Sequence, residues 1–444
     1  MADRFLAVGG GGREHAIVAA LAKSKIELFA VMKNRNPGIV RLVKDFKLIN
    51  ETDVENVVKY ALSKKVDVVV VGPEAPLEAG LADALTTKGI LCVGPKKQAA
   101  RIETDKAFAR ALLDKYKVQG NLRFGAFADL ESAKRFLESA DMQVAIKPIG
   151  LTGGKGVKVE GEHLKDRAET LDYVREIFDK RIGGAGVVIE EKIVGEEFTL
   201  QAFCDGKHLV AMPAVQDHKR AFEGDVGPNT GGMGSYSVED HLLPFLTSNE
   251  LEQAKASMRG TVEALAQEGT PYQGILYGQF MLTANGPRVI EFNARFGDPE
   301  AMNVLPIMDS DFEEVCARVA SGHLSQAKVR FEKLATVCKY VVPEGYGQNP
   351  KANLPVEVDE TAVKREGARV FFAAVNEDGG RILTSTSRAL GVVGIAKDLE
   401  SAEMACERAL LHVRGEAIYV RHDIGKPAII QKKVERMLAL RKQL

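Results

Sequence analysis

The segment "VIEFNARFGDPE", Val289 to Glu300, holds the densest set of groups able to do chemistry. Strand side chains alternate between faces, so Ile290, Phe292, Ala294 and Phe296 share an apolar face while Glu291, Asn293 and Arg295 share the other. A carboxylate, an amide oxygen and a guanidinium in line are costly on a half-buried strand unless something charged sits above them. Magnesium takes hard oxygen ligands, usually one or two carboxylates together with substrate phosphate. Glu291 and Asn293 suit that role, and Arg295 suits a clamp on a transferring phosphoryl group. The plainer alternative is a solvated face with an Arg–Glu pair. The following "GDPE", with a glycine turn and two further carboxylates, weighs toward chemistry. In the nearby "LYGQFML", Gln279 could add an oxygen ligand or merely bond its neighbours.

Four other segments carry polar groups at suggestive spacing. "KPIGLTGGKGV", Lys147 to Val157, has the composition of a phosphate loop but fails the P-loop pattern. Lys155 and Gly156 are reversed, and Val157 stands where a Ser or Thr would carry the metal. With a strand on either side, it reads as a hairpin flap whose glycines allow close backbone approach and movement. "AVGGGGREHA" follows a strand and opens a helix, yet fails the dinucleotide fingerprint in both registers, with Glu14 or His15 in the final position. It is either an anion site at a helix N-terminus or a tight turn; four consecutive glycines favour the first. "VVIEEKIVGEEFTLQAF" places Glu190 and Glu191 at a strand end, with Glu197 beyond; a nucleoside contact and an exposed acidic turn fit equally. "QDHKRAFEGDVGPNTGGMGSYS", Gln216 to Ser237, reads as a long functional loop in which Asp217, His218, Lys219 and Arg220 suggest a small charged substrate.

These groups need scaffolds. In the first hundred residues, the strands "RFLAVGG", "ELFAVMK", "VDVVVVGPEAP" and "ILCVGP" alternate with helical segments. Continuous apolar strands separated by helices predict a parallel sheet covered on both faces, with ligand space at the carboxyl ends. "TDKAFARALLDKY" predicts a capped helix. Longer alternating strands follow from Phe198 to Arg295, and then a small α+β region with strands at 335–342 and 368–375 and a helix near 399–413. A basic helical tail is expected after Ile429. A chain of 444 residues, 45% hydrophobic and 27% charged, has room for about three domains. Its formal net charge of −1 gives no sign of a nucleic-acid or membrane-surface binder. The apolar runs, such as Val68 to Val71, are far too short for a membrane span, and the N-terminus has no secretory or transit pattern. Five scattered cysteines without C-x-x-C spacing fit a reduced cytoplasmic setting and small buried hydrophobes.

A glycine flap after "AIKP", an acidic hinge and a Glu-x-Asn-x-Arg strand together resemble the ATP-grasp superfamily. "VGPEAPL", "GPNTGGMG" and "EFNARFGDPE" narrow the resemblance to the phosphoribosylamine–glycine ligase (glycinamide ribonucleotide synthetase) family, from "GGGGREHA" to "RHDIG". The resemblance implies a multidomain α/β and α+β architecture. It comprises an N-terminal Rossmann-like domain (1–103), an ATP-grasp domain (104–330) with a mobile lid subdomain (about 124–192), a small C-terminal α+β domain (331–430) and the tail (431–444). It also implies a reaction: ATP, glycine and 5-phosphoribosylamine give glycinamide ribonucleotide, ADP and phosphate through a glycyl phosphate, with magnesium or manganese as the metal.

By the same resemblance, Lys106 and Lys147 hold ATP phosphates, and Gly150, Gly153, Gly154, Lys155 and Gly156 close over them. Glu190, Glu191 and Ile193 receive the adenine and Glu197 the ribose. Glu291 and Asn293, with Gln279, hold the metal. Arg295 stabilises the acyl phosphate, while Asp217 and Lys219 orient glycine. Gly10, Gly11, Gly12, Glu14, Glu74, Pro76, Gly297, Asp298, Pro299 and Glu300 cradle the phosphoribosylamine. The implied partners are small molecules only, with no nucleic acid or membrane, and the implied state is a monomer or homodimer in the cytoplasm. The chain departs from the family at "KNRNPGI", Lys33 to Ile39, where a "PGNAGT"-like segment is common, at Gln279, where a small residue is common, and at Thr386 and Ser387, where glycines are common. Competing readings are a carboxylating ATP-grasp ligase, an oxidoreductase using the first domain, and an inactive nucleotide sensor.

Overall fold

The computed structural model describes residues 2–152 and 156–442. The first hundred residues form a five-stranded parallel sheet in the order Asp45–Leu48, Glu27–Met32, Arg4–Val8, Val68–Val71, Leu91–Val93. The first strand is central because its "FLAV" residues are buried on both faces. The edge strand Asp45–Leu48 has no counterpart in the sequence reading. Its "DFKL" is polar and half-exposed, so it lacks the apolar run that marks the other four.

The central region holds an antiparallel sheet in the order Leu209–Ala211, Glu196–Asp205, Gln273–Thr283, Gly286–Asn293. Gln279 stands opposite both Thr199 and Glu291, with a bulge after it. The insertion between the first and second thirds of the chain is a second antiparallel sheet, ordered Phe124–Phe127, Val187–Glu191, Val144–Pro148, Lys158–Val159. Helices Leu130–Ser139 and Arg167–Lys180 cover it, and its buried side chains form a cluster of their own around Leu137, Ile146, Val174 and Ile189. Ala145 pairs with Val159 and Ile146 with Lys158, so Val144–Pro148 and Lys158–Val159 are the two arms of a hairpin.

The C-terminal sheet runs Gln216–Asp217, Gly234–Ser237, Ala335–Pro343, Leu390–Ala396, Ala368–Phe372. The segment expected as one long loop, Gln216 to Ser237, is therefore two short strands of this sheet flanking a hairpin of Arg220–Phe222 and Val226–Asn229. Its glycines and single apolar residues hid the pairing, because the strands find their partners at long range. The expected strand 368–375 ends at Phe372, and Val375–Asp378 joins a different small sheet. The tail helix spans Pro427–Arg441, starting earlier than expected because Pro427 occupies a first-turn position, where its missing N–H costs nothing.

The N-terminal and C-terminal sheets do not have separate cores. Leu6 and Val392 belong to one buried cluster, and Ala7 and Val393 to another. The atypical "KNRNPGI" segment fastens this junction. Asn36 Nδ2 donates to Gly10 O at 3.0 Å and to Phe372 O at 2.7 Å, while its Oδ1 accepts from Gly38 N at 3.0 Å. His15 Nδ1 accepts from Phe372 N at 2.8 Å. Burial, helped by Arg41, pushes the imidazole down to about 3, so it stays neutral and able to accept. All five cysteines are buried thiols. Among the described residues, no helix is long and apolar enough to cross a membrane.

Candidate active site

A cleft of about 750 Å³ opens between the sheet containing Val144–Pro148 and Val187–Glu191, the central sheet and the C-terminal elements. Its floor is the polar face of Gly286–Asn293. Phe292, Ala294 and Phe296 are buried on the other side, which turns Glu291, Asn293 and Arg295 into the cleft. Glu291 makes no ion pair or hydrogen bond among the described residues. Burial alone would raise its carboxyl, but Lys147, Lys219, Lys106 and Arg295 around it hold it below the usual range. An ionised carboxylate encircled by four cations at a distance is arranged for something brought in from outside.

Each cation has its own support. Lys147 is buried, with Nζ 2.9 Å from Ile290 O and 2.8 Å from Glu190. Glu190 also takes a two-pronged contact from Arg110, at 2.7 and 3.0 Å. Burial would raise Glu190, but Arg110 and Lys147 outweigh it and hold the carboxyl at about 2. Lys106 begins the helix capped by Asp105, and its Nζ donates to Gly150 O at 2.8 Å. Arg295 lies between Glu103 at 3.1 Å and Glu74 at 3.3 Å and reaches Asn293 Oδ1 at 3.4 Å. Glu74 is held at about 2, because Arg295 and Arg13 outweigh its burial. Glu103 is pushed up to about 7 by burial, with Glu74 adding to the effect.

The opposite wall carries Asp217, Lys219, Glu197 and Glu300. Lys219 is 3.5 Å from Glu197 and 3.9 Å from Asp217. Asp217 Oδ1 is buried and has no hydrogen-bond partner, and burial pushes its carboxyl up to about 7, with Glu300 and Glu197 nearby. Such an unmatched acceptor is costly without a ligand. Glu300 accepts from Tyr277 Oη at 2.9 Å and Thr199 Oγ1 at 3.2 Å. Gly297 N donates to Gln201 Oε1 at 2.7 Å, and Asp298 is gripped by Tyr340 and by Arg388 at 3.3 Å.

The structure therefore gathers Lys106, Lys147, Glu190, Glu191, Ile193, Glu197, Asp217, Lys219, Gln279, Glu291, Asn293, Arg295, Glu74, Asp298 and Glu300 around one cleft. Others serve differently. The side chain of Glu190 is the counter-ion of Lys147 and Arg110, and that of Glu191 binds Arg123 N and Arg288, each at 2.9 Å. Neither side chain is turned toward a base. Glu14 is buried, accepts from Gly11 N at 2.7 Å and pairs with Arg13 at 2.6 Å. The four glycines have local reasons to lack a side chain: a Cβ at Gly9 or Gly11 would strike Glu14, one at Gly10 Asn34, and one at Gly12 Tyr340. Arg13 stands at the cleft wall in front of them. Pro76 is buried in the fold, and Gly297 and Pro299 form the turn behind Asp298. Gly150 and Gly156 flank the hairpin turn; Gly153, Gly154 and Lys155 lie outside the described residues.

Sequence reasoning missed Arg110, Glu103, Tyr277, Arg13, Arg388, Lys433 and Arg436. Arg110 follows Lys106 by four residues on one helix, a spacing that puts both on one face and could have revealed it. Arg388, Lys433 and Arg436 come from the C-terminal region through tertiary packing, which leaves no local signal.

The donor set suits a divalent cation. Glu291 offers a carboxylate, Asn293 and Gln279 stand on the same face, and Gln279 Nε2 donates to Glu197 at 2.5 Å, which turns its oxygen the other way. One carboxylate and two amides make too few ligands for a closed protein cage, but they match magnesium completing its shell from phosphate and water.

Profiles of the phosphoribosylglycinamide synthetase N domain, ATP-grasp (A) domain and C domain match residues 3–103, 104–301 and 336–427. A phosphoribosylamine–glycine ligase of Methanothermobacter thermautotrophicus is 52% identical over 99% of this chain and all of its own. The crystal structure of phosphoribosylamine–glycine ligase from Thermotoga maritima superposes with a TM-score of 0.80 at 26% identity, covering 95% of this chain and 99% of its own. The biotin carboxylase domain of Hydrogenobacter thermophilus 2-oxoglutarate carboxylase, solved with MgADP, has a TM-score of 0.72 at 17% identity, covering 99% of this chain and 94% of its own; that likeness is one of fold.

Proposed function

The chain belongs to the phosphoribosylglycinamide synthetase family, and from that premise we infer that it joins glycine to 5-phosphoribosylamine using ATP, giving glycinamide ribonucleotide, ADP and phosphate. The carrying observation is Glu291, an ionised carboxylate without a partner among the described residues, ringed by Lys106, Lys147, Lys219 and Arg295. A triphosphate and a developing acyl phosphate are the ligands such a ring suits.

A carboxylate is a poor electrophile, so the γ-phosphoryl group first passes to a glycine carboxylate oxygen, releasing ADP. The amine nitrogen then attacks the carbonyl carbon, phosphate leaves, and the nitrogen sheds a proton. No covalent enzyme nucleophile is needed; positioning and charge neutralisation carry the rate. Lys106 and Lys147 hold ATP phosphates, with Gly150 and Gly156 beside them. Glu191 to Ile193 offer backbone to the adenine, and Glu197 accepts from the ribose. Arg295, fixed between Glu103 and Glu74, faces the acyl phosphate. Asp217 receives the glycine ammonium at its unpartnered Oδ1, with Lys219 on the carboxylate side. Glu300, Asp298 and the Gly297–Pro299 turn, with Arg13 and Glu74, border the phosphoribosylamine. Glu291, Asn293 and Gln279 would hold magnesium or manganese, whose charge offsets that of the phosphates. We further assign 1–103, 104–330, 331–430 and the remaining tail as structural divisions, and a monomer or homodimer in the cytoplasm.

ADP release measured with glycine, bicarbonate and other carboxylates, with and without phosphoribosylamine, tests this reading. Release that requires both glycine and the amine supports it; release with bicarbonate and not glycine overturns it.

A further inference from the structure

The tail helix Pro427–Arg441 begins where the family match ends, at residue 427. It is not a loose appendage. Ile430 and Met437 are buried, Val434 packs against the same cluster, and Arg441 donates to Phe245 O at 3.0 Å and to Glu250 at 2.8 Å. Ile430, Val434, Met437 and Arg441 recur at helical spacing, so one stripe seats the helix on the central region. Lys433 and Arg436, three residues apart at the edge of that stripe, reach the wall of the cleft.

Their target is Glu196. This carboxylate is 5% exposed and begins the strand that carries Glu197. Its ion-pair partners among the described residues are Arg436 at 3.2 Å, on one oxygen, and Lys433 at 3.5 Å, on the other. The turn before it has no slack, since a Cβ at Gly195 would come within 1.8 Å of Leu282 O. Lys433 also reaches Asp225 at 3.1 Å, whose other oxygen takes His218 at 3.0 Å and Arg421 at 2.8 Å. A buried carboxylate left without its cations draws in water or moves toward it, and Glu196 cannot move without dragging Glu197.

We propose that Lys433 and Arg436 are positioning residues of the nucleotide end of the cleft: by neutralising Glu196 from the tail helix, they hold the Ile193–Glu197 segment where ATP binds. This rests on the assignment of that segment to the nucleoside, and the helix thereby becomes a wall of the nucleotide site.

The test is a cycle in the full-length enzyme. Lys433→Met with Arg436→Met is expected to raise the Kd for MgADP, by calorimetry, and the KM for ATP tenfold or more. The loss should fall on the KM for ATP, while the KM for glycine shifts less than threefold. Adding Glu196→Gln, which removes the charge left alone, brings the Kd for MgADP back to within threefold of the parent. If the double variant does not fold, the triple variant, with no stranded charge, and the half-exposed single variant Arg436→Met carry the test. The triple variant should bind MgADP like the parent, and the single variant at least threefold more weakly. An unchanged Kd in the double or single variant overturns the proposal. So does a loss that Glu196→Gln fails to relieve, or one spread equally over ATP and glycine. The MgADP readout is independent of the amine and glycine chemistry, so a wrong acceptor substrate would show only in the ADP-release assay.

Discussion

Lys147 Nζ lies 2.8 Å from a Glu190 oxygen, and the same carboxylate is forked by Arg110 at 2.7 and 3.0 Å. On the proposed reading, Glu190 acts on the nucleotide through the lysine it aims and not through a contact with the base. Removing it leaves two buried cations uncompensated, a loss of ~3–5 kcal/mol. Glu190→Gln is expected to lower the stability measured by denaturant titration by about that amount. Because the folded carboxyl sits at about 2 against an ordinary 4.5, its stabilisation is full above pH ~4.5 and disappears as pH falls toward 2. The Gln variant should show a shallower fall in stability over that acid range; an identical slope would falsify the assignment.

Among the described residues, Glu291 has no structural partner to lose. Glu291→Ala should keep the circular dichroism spectrum and melting behaviour of the parent while abolishing magnesium-dependent ADP release. Near-normal turnover would put the metal elsewhere.

Arg295 is fixed by Glu74 and Glu103, so a smaller side chain cannot reach the same point. Loss of one preoriented charge-stabilising donor costs ~3 kcal/mol at the barrier, about a hundredfold in kcat. Arg295→Lys should show that drop with ATP affinity little changed. A variant that loses ATP binding and keeps its kcat would contradict a role toward the acyl phosphate.

Asp217 titrates near 7 because it is buried beside Glu300 and Glu197. Raised above the ordinary 3.8, its carboxyl is mostly protonated at pH 6 and mostly ionised at pH 8. The KM for glycine should therefore climb as pH falls from 8 to 6. Asp217→Asn should raise it at every pH and flatten the profile. A profile unchanged by the substitution would remove Asp217 from the glycine site.

Asn36 ties Gly10 to Phe372 and caps its own short helix. Asn36→Ala leaves buried carbonyls unmatched and should cost ~2–3 kcal/mol of stability. Comparing the two chains in a guanidinium titration reads the difference directly, and parity would mean that water replaces the amide without loss.

The polar floor of the cleft was readable because its spacing is local: Glu291, Asn293 and Arg295 alternate along one strand. The parallel sheet was readable for the same reason, through apolar runs such as Val68–Val71. What escaped depends on long-range partners. Asp45–Leu48 is a strand only because Glu27–Met32 lies beside it. Gly234–Ser237 is a strand because Ala335–Pro343 reaches it from a hundred residues later, and Gln216–Asp217 pairs with it in turn. Glu190 and Glu14 looked like ligand contacts in sequence, and nothing short of the packed structure shows Arg110 and Gly11 claiming them. That two basic residues of the tail pair with Glu196 likewise shows only in the packed structure.

The shared interior of the first and last sheets bears on how the chain can be divided. Leu6 and Val392 lie in one cluster, and Ala7 and Val393 in another. A cut near residue 330 would strip oil-like faces bare on both fragments, so neither half would stay in solution on its own. Co-expressed, the fragments should find each other and rebuild a working enzyme, because the seam between them is itself hydrophobic core.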